Sequence, residues 1–315
     1  MKNKRNVRLV LSYDGSEFGG WQRQKNARSA QGELEAALER MHGHPVPTLG
    51  AGRTDAGVHA MGQVANFYTD IAGIAIERFL PALNKLMPRD IRVLKAEEVG
   101  FDFHSRYDAR LRRYRYFALC SPSPDPMRLR YCHHLRRRPG LESLNAAAAL
   151  VLGEVDFTTF SSAKDESANR SRFVSESCFR WEGDALVYQI AANAFLWRMV
   201  RSLVGSMLCY EARAAEEIGR PAGGAAHRGG ERAARAAELM AEALAAKDRS
   251  LAGPTAPARA LFLWNVEYYA APTRPGRGDY WVAKAGAGLK DGDEAMGEGK
   301  DPVPRIVPGI GPVPG

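Results

Sequence analysis

Apolar residues recur at every second position over residues 7–13 and then at three- and four-residue intervals over residues 30–41. A chain so patterned must lay helices on a sheet. Residues 7–13 alternate as a strand, which Asp14 and Gly15 close with a turn. Ser29 is placed to cap a helix whose Ala30, Leu34, Ala37, Leu38 and Met41 fall on one face. A strand ending near Leu49, a strand over 63–68, a helix over 76–86 and a strand over 91–99 complete an α/β sandwich with a mixed or antiparallel sheet.

Past residues 101–107 the alternation starts again, with a strand over 112–119, a loop rich in Pro and Arg over 121–139 and a helix over 141–152. Strands over 173–181 and 185–191 follow, then a strongly apolar helix from about 195 to 210 and a last strand over 261–269. The two halves suggest a duplication of topology, without a repeat in the sequence itself. The expected division is an N-terminal α/β unit over 1–106, carrying the Asp55 loop described below, and a C-terminal α/β unit over 107–270. Residues 219–230 hold several glycines and read as a flexible loop before an alanine-rich helix over 231–247. Residues 271–315, rich in Pro and Gly and without periodicity, read as a disordered tail.

With 315 residues and 45% hydrophobic content the chain can build real cores, and its net charge of +8 points to a polyanionic partner, nucleic acid first. Cys120, Cys132, Cys178 and Cys209 form no C-x-x-C pair, which argues against a zinc site or a disulfide framework and fits a reducing compartment. The basic N-terminus leads into only a short apolar stretch, and no apolar run approaches membrane-spanning length. A cytoplasmic protein without membrane contact is expected. Gly299-Lys300 lacks the spacing and the Ser or Thr of a phosphate-binding loop, which disfavours an NTPase.

Three groups of residues can carry chemistry. The first is Asp55, in Gly50-Ala51-Gly52-Arg53-Thr54-Asp55-Ala56-Gly57-Val58-His59, where small residues allow close backbone approach and Arg53 and His59 supply positive partners. An Asp among glycines is more often a turn residue, so the remaining groups have to decide its role. The second is Arg112-Arg113-Tyr114-Arg115-Tyr116: on a strand Arg112, Tyr114 and Tyr116 share one face, and rings beside guanidiniums can stack a base and hold its phosphate. Arg128, Arg130, Arg136, Arg137 and Arg138 add a basic loop suited to phosphate contact. The third is residues 193–201, where a helix would set Trp197 and Arg201 four apart and leave Arg201 at the edge of the apolar face, able to hold Asp55. There is no second catalytic acid, no nucleophile paired with His, no metal site and no cofactor loop. A phosphotransferase is disfavoured because Asp55 has no D-x-D neighbour for magnesium.

Taken in order, Tyr13-Asp14-Gly15, Gly20-Trp21-Gln22-Arg23-Gln24, Gly52-Arg53-Thr54-Asp55-Ala56-Gly57-Val58-His59, Arg113-Tyr114-Arg115-Tyr116, Asp156-Phe157-Thr158, Asn193-Ala194-Phe195 and Met199-Val200-Arg201 resemble the tRNA pseudouridine synthase A (TruA) family over about residues 7 to 270. The resemblance implies an α+β pseudouridine synthase fold, two similar α/β units with mostly antiparallel mixed sheets flanking a central cleft. It implies an isomerase that converts uridine to pseudouridine at positions 38, 39 and 40 of the anticodon arm of tRNA, without cofactor or metal, as a homodimer with tRNA spanning both subunits. Asp55 matches the catalytic aspartate and is the expected nucleophile, Tyr114 the tyrosine against the target base, and Arg201 the basic residue paired with the aspartate. Arg53 matches a residue that enters the space left by the flipped nucleotide. Trp21, Gln22, Arg23, Gln24, His59, Arg112, Arg113, Asn193 and Arg198 are the further candidate substrate contacts. Trp197 and Arg198 depart from the usual residues there, and residues 219–230 are longer than usual. The alternative function is a non-catalytic tRNA-binding or RNA-chaperone module of the same fold.

Overall fold

A computed structural model describes residues 4–219 and 225–268. Its first strand, β1 (Arg5–Tyr13), sets the plan: Val7, Leu9, Leu11 and Tyr13 point inward and are buried. They meet α1 (Ala30–His42) and α2 (Ile76–Leu86), whose Leu34, Leu38, Phe79 and Leu83 belong to the same apolar core. The Ser29 side chain accepts the Gly32 N–H at the start of α1, and Gly43, at φ 74°, ends it in the left-handed region. Around β1 lie β2 (Leu49–Gly50), β3 (His59–Thr69) and β4 (Ile91–Val99), with β3 and β4 flanking β1 antiparallel.

The rest of the chain supplies β5 (Ala109–Cys120), α3 (Pro126–Leu129), β6 (His133–Leu135), α4 (Leu141–Ala149), β7 (Gly153–Asp156), β8 (Ser171–Glu182) and β9 (Ala185–Ala192). Two long helices, α5 (Met199–Glu217) and α6 (Ala225–Ala246), precede β10 (Leu261–Tyr268). The strands join in one ten-stranded mixed sheet of order β4-β1-β3-β10-β5-β9-β8-β7, with β2 on β3 and β6 on β5. Among the described residues only the β10–β3 and β5–β6 pairs are parallel. The final described strand therefore lies between β3 and β5, with Phe262 opposite His59 on one side and Leu263 opposite Tyr114 on the other.

One apolar core runs along the helix-bearing face of the sheet, from Val7 and Leu34 through Tyr114 and Tyr116 to Leu144, Leu203 and Met240. The opposite face carries a small cluster of Phe117, Leu119, Cys132, Val187 and Phe262, together with cross-strand ion pairs such as Arg8 with Glu97 and Arg115 with Glu182. This division follows from the period of two along a strand.

Several elements depart from the sequence reading. The helix expected from about 195 starts at Met199 and continues to Glu217. Arg198 has φ 63°, and the Asp165 carboxylate accepts the Trp197 N–H, so residues 193–198 form a turn in which Trp197 is exposed. Trp197 and Arg201 consequently do not share a helical face. The helix over 141–152 stops at Ala149, leaving Leu150 and Leu152 exposed. Residues 225–230, read as loop, open α6, while residues 220–224 and the tail over 271–315 lie outside the described residues.

Candidate active site

The Asp55 loop joins β2 to β3 and is gripped by residues 13–21, the end of β1 and the turn that follows it. Thr54 accepts the Trp21 N–H with its carbonyl at 3.2 Å and shares a hydrogen bond of 2.8 Å between its hydroxyl and that of Tyr13. The Gly57 N–H donates to the Phe18 carbonyl, and the Val58 N–H closes the turn on the Asp55 carbonyl. Such closeness needs glycine on the gripping side. A Cβ on Gly15 would lie 2.0 Å from the Val58 oxygen, and one on Gly20, where φ is 104°, 2.4 Å from the Thr54 oxygen. The loop presents a carboxylate from a fixed backbone, with Oδ1 free of protein partners among the described residues.

Oδ2 of Asp55 is taken by Arg201, 146 positions later, through Nη1 at 2.9 Å. Arg201 is the third residue of α5 and is itself steered, because its Nε–H donates to the Ala256 carbonyl at 2.8 Å. Ala256 returns its N–H to the Arg201 carbonyl at 3.1 Å. The segment carrying Ala256 can lie this close to α5 only because residue 205 is glycine; a Cβ there would meet the Pro254 oxygen at 1.8 Å. Side-chain exposures of 15% for Arg201 and 18% for Asp55 leave the pair mostly out of water, where each charge is costly without the other.

Tyr114 completes the group. It lies on β5 opposite Leu263 and Ile190, its ring edge-on to Phe195 with centroids 5.1 Å apart. Burial drives its pKa up, and the charges of Tyr13 and Asp55 push the same way, so the phenol is neutral and able to donate. Its hydroxyl makes no hydrogen bond among the described residues. Tyr116, two residues on, has a buried hydroxyl with no partner and also a raised pKa, from burial, moderated by the nearby Arg201 charge.

The other expected contacts fall into two sets. Arg53 is exposed, and its guanidinium has no hydrogen bond or ion pair among the described residues. Gln22, Arg23 and Gln24 are exposed but tied down, Gln22 to Gln31, Arg23 to Glu35 and Gln24 to the Gly19 carbonyl. Arg198 is exposed beside Trp197 at the start of α5. Trp21 is buried against Gly50 and the Tyr13 ring.

His59 does not serve Asp55 as a positive partner. It is buried, its Nε2–H donates to the Arg259 carbonyl, and its Nδ1 accepts the Gly15 N–H. Arg112 is also buried, and its donors go to the carbonyls of Ala51, Arg106, Ala109 and Asn193. Arg113 pairs with Glu176 and Glu267, and Asn193 uses its side-chain oxygen on the N–H groups of Phe173 and Ala194. Much of the basic loop is likewise committed within the molecule: Arg128 to Asp184, Arg130 to Asp14, Arg137 to Glu211, with Arg138 over the Trp181 ring. Sequence reasoning missed the Ala256 carbonyl, the Gly205 contact and Phe195 as the floor under Tyr114. Of these only Gly205 leaves a visible trace, as a small residue inside an otherwise large-residue pattern.

A family model described as tRNA pseudouridine synthase matches residues 9–108 and 147–269. A tRNA pseudouridine synthase A of Treponema denticola is 42% identical over 272 residues, covering 85% of this chain and 94% of its own. One from Treponema pallidum is 44% identical over 213 residues, 66% of this chain and 76% of its own. One from an Exiguobacterium species is 38% identical over 264 residues, 84% of this chain and 98% of its own. With the family match covering most of the chain and taking in Asp55 and Arg201, while Tyr114 falls between its two matched segments, the chain belongs to the tRNA pseudouridine synthase family.

Proposed function

We propose that this protein isomerises uridine to pseudouridine at positions 38, 39 and 40 of the anticodon stem and loop of tRNA, in the cytoplasm, as a homodimer and without cofactor. The observation that carries the reading is the Asp55–Arg201 pair at 2.9 Å, set on a glycine-clamped loop beside a buried tyrosine. The name shared by the relatives supports tRNA as the substrate. A module that only bound RNA would gain nothing from holding a carboxylate and a guanidinium mostly out of water at that spot.

In this reading Asp55 is the nucleophile. The reaction breaks the glycosidic bond at N1, turns the freed uracil and rebuilds the bond at C5, whose hydrogen leaves as a proton while N1 takes one up, so one carboxylate must stabilise a separated base and sugar. Arg201 occupies Oδ2 and leaves Oδ1 to meet the nucleotide. Water must be kept away, or the base would be lost by hydrolysis; a single carboxylate in a closed site suits this better than the paired carboxylates of a glycosidase. Tyr114, neutral and two strands from the Asp55 loop's own β3, packs against the flipped base with its hydroxyl available as a donor. Arg53 enters the space that the flipped nucleotide leaves.

The test is mapping pseudouridine in tRNA from cells with and without the gene, together with tritium release from C5-labelled uridine by the purified protein. Loss of the modification at positions 38 to 40 on deletion is expected. Unchanged modification with no release in vitro would refute the proposal. Light scattering tests the dimer.

A further inference from the structure

Beside the Asp55 loop lies a cavity of about 260 Å³, of whose lining the chemistry above uses only Arg53. Its walls include Gln31, Thr48, Gly50 and Arg53 on one side and Arg106 and Tyr107 on the other, and no acidic residue lines it. The floor is fixed by satisfied polar groups. Gln31 accepts from Gln22 and from the Arg23 N–H, and donates to Glu35 and to the Thr48 carbonyl.

The rim is different. Neither Arg53 nor Arg106 has a side-chain hydrogen bond or ion pair among the described residues, although most other arginines named above are paired. Tyr107 is 64% exposed, with His104 against its ring at 4.3 Å and the Arg106 guanidinium 5.9 Å from its centroid. An exposed tyrosine ring next to unpaired guanidiniums is the combination that holds a single nucleotide, base on the ring and phosphate on the cation.

This rim is also held rigid from within. His104 Nδ1 accepts the N–H groups of Arg106 and Tyr107, and the His104 N–H donates to Asp108. The buried Arg112 bonds the Arg106 carbonyl and the Ala51 carbonyl through the same Nη2, at 2.6 and 2.9 Å. One guanidinium thus locks the turn bearing Tyr107 to the base of the loop bearing Arg53 and Asp55. A ring presented on a fixed backbone loses little entropy when a base stacks on it.

We propose that this cavity is a second nucleotide subsite: an unpaired nucleotide neighbouring the target uridine seats its base against Tyr107 and its phosphate on Arg106, with Arg53 forming the wall toward Asp55. The inference rests on the isomerase reading for the identity of the RNA. It makes the enzyme grip two adjacent nucleotides separately, one at Asp55 and one here, so that the second anchors the strand while the first turns.

The test is filter binding of full-length tRNA to the intact protein and its variants, with tritium release measured alongside. Tyr107→Ala weakens binding about tenfold and Tyr107→Phe restores it, because stacking needs the ring and not the hydroxyl. Arg106→Gln lowers the slope of log Kd against log salt by about one, the signature of one lost phosphate contact. Both side chains point to solvent, and unchanged thermal melting of the variants checks that the fold is intact. Binding by Tyr107→Ala within about twofold of the wild type would overturn the subsite. Release by the wild type with unchanged Kd in the variants removes the subsite and leaves the isomerase reading standing. Wild-type binding without release removes the isomerase reading, while the loss on Tyr107→Ala still establishes the subsite.

Discussion

Replacing Arg201 with Met tests the site at its most exposed assumption, that the guanidinium acts by aiming Asp55. The substitution keeps most of the side-chain bulk in α5 and removes two hydrogen bonds, Nη1 to Asp55 and Nε to the Ala256 carbonyl. A charge-assisted hydrogen bond contributes about 1.5–3 kcal/mol, and Asp55 at 18% side-chain exposure can recover part of its hydration, so a stability loss of about 1–2 kcal/mol is expected. The kinetic loss should be larger, because a misplacement of about 1 Å in a reacting group costs on the order of 100-fold. Single-turnover tritium release at saturating tRNA reads the chemical step, and urea unfolding reads stability. In an Asp55→Asn background the same substitution should cost almost nothing further, since the two residues act as a unit. Turnover by Arg201→Met within about threefold of the wild type, with the fold intact, would refute the aiming argument.

Asp55→Asn should bind tRNA nearly as well as the wild type yet lose turnover by about 10⁴-fold or more in the same release assay, and substantial residual turnover would remove Asp55 as nucleophile. Tyr114→Phe should bind but turn over about 100-fold more slowly if the hydroxyl handles a proton; near-normal rates would leave the ring only a packing role. Gly205→Ala forces backbone against backbone at Pro254 and should lower stability by about 1–3 kcal/mol in urea, with activity falling further as Ala256 and Arg201 move. Although burial works against it, hydrogen bonds from the Ser16 hydroxyl and N–H and from the Tyr131 hydroxyl hold the Asp14 carboxyl well below its ordinary value of 3.8. Its stabilising contribution is therefore complete above that value and lost as the pH falls beneath it toward the lowered one, so Asp14→Asn should destabilise by about 1–3 kcal/mol at pH 7 and progressively less in acid.

Most of the fold could be read from the sequence where local pattern and tertiary packing ask for the same thing. α2 and β4 fall at the residues their periodicity marks, and Ser29 caps α1 as its chemistry suggests. The exception at residues 193–198 arises because Asp165, far off in the chain, captures the Trp197 N–H and Arg198 takes a left-handed conformation, choices that no local propensity records. At the site, Asp55 stood out through its glycines and Arg201 through its odd place on an apolar helix. Arg112, His59 and Arg113 looked the same in the sequence as free cations. Their carbonyl and carboxylate partners come from other strands and turns, so burial turned apparent RNA contacts into internal braces. Arg106 and Tyr107 had no periodicity or motif to mark them, because what distinguishes them is that they were left unpaired.

The position of β10 has a consequence for how the molecule is made. The sheet cannot close across its middle until residues 261–268 have left the ribosome, since among the described residues they alone join β3 to β5. Until then β3 and β5 each offer an open edge, and Asp55 waits on one half while Tyr114 and Arg201 wait on the other. Catalytic competence thus arrives in a single late step, with long-range pairing that folds slowly, and a nascent chain still short of β10 cannot act on tRNA.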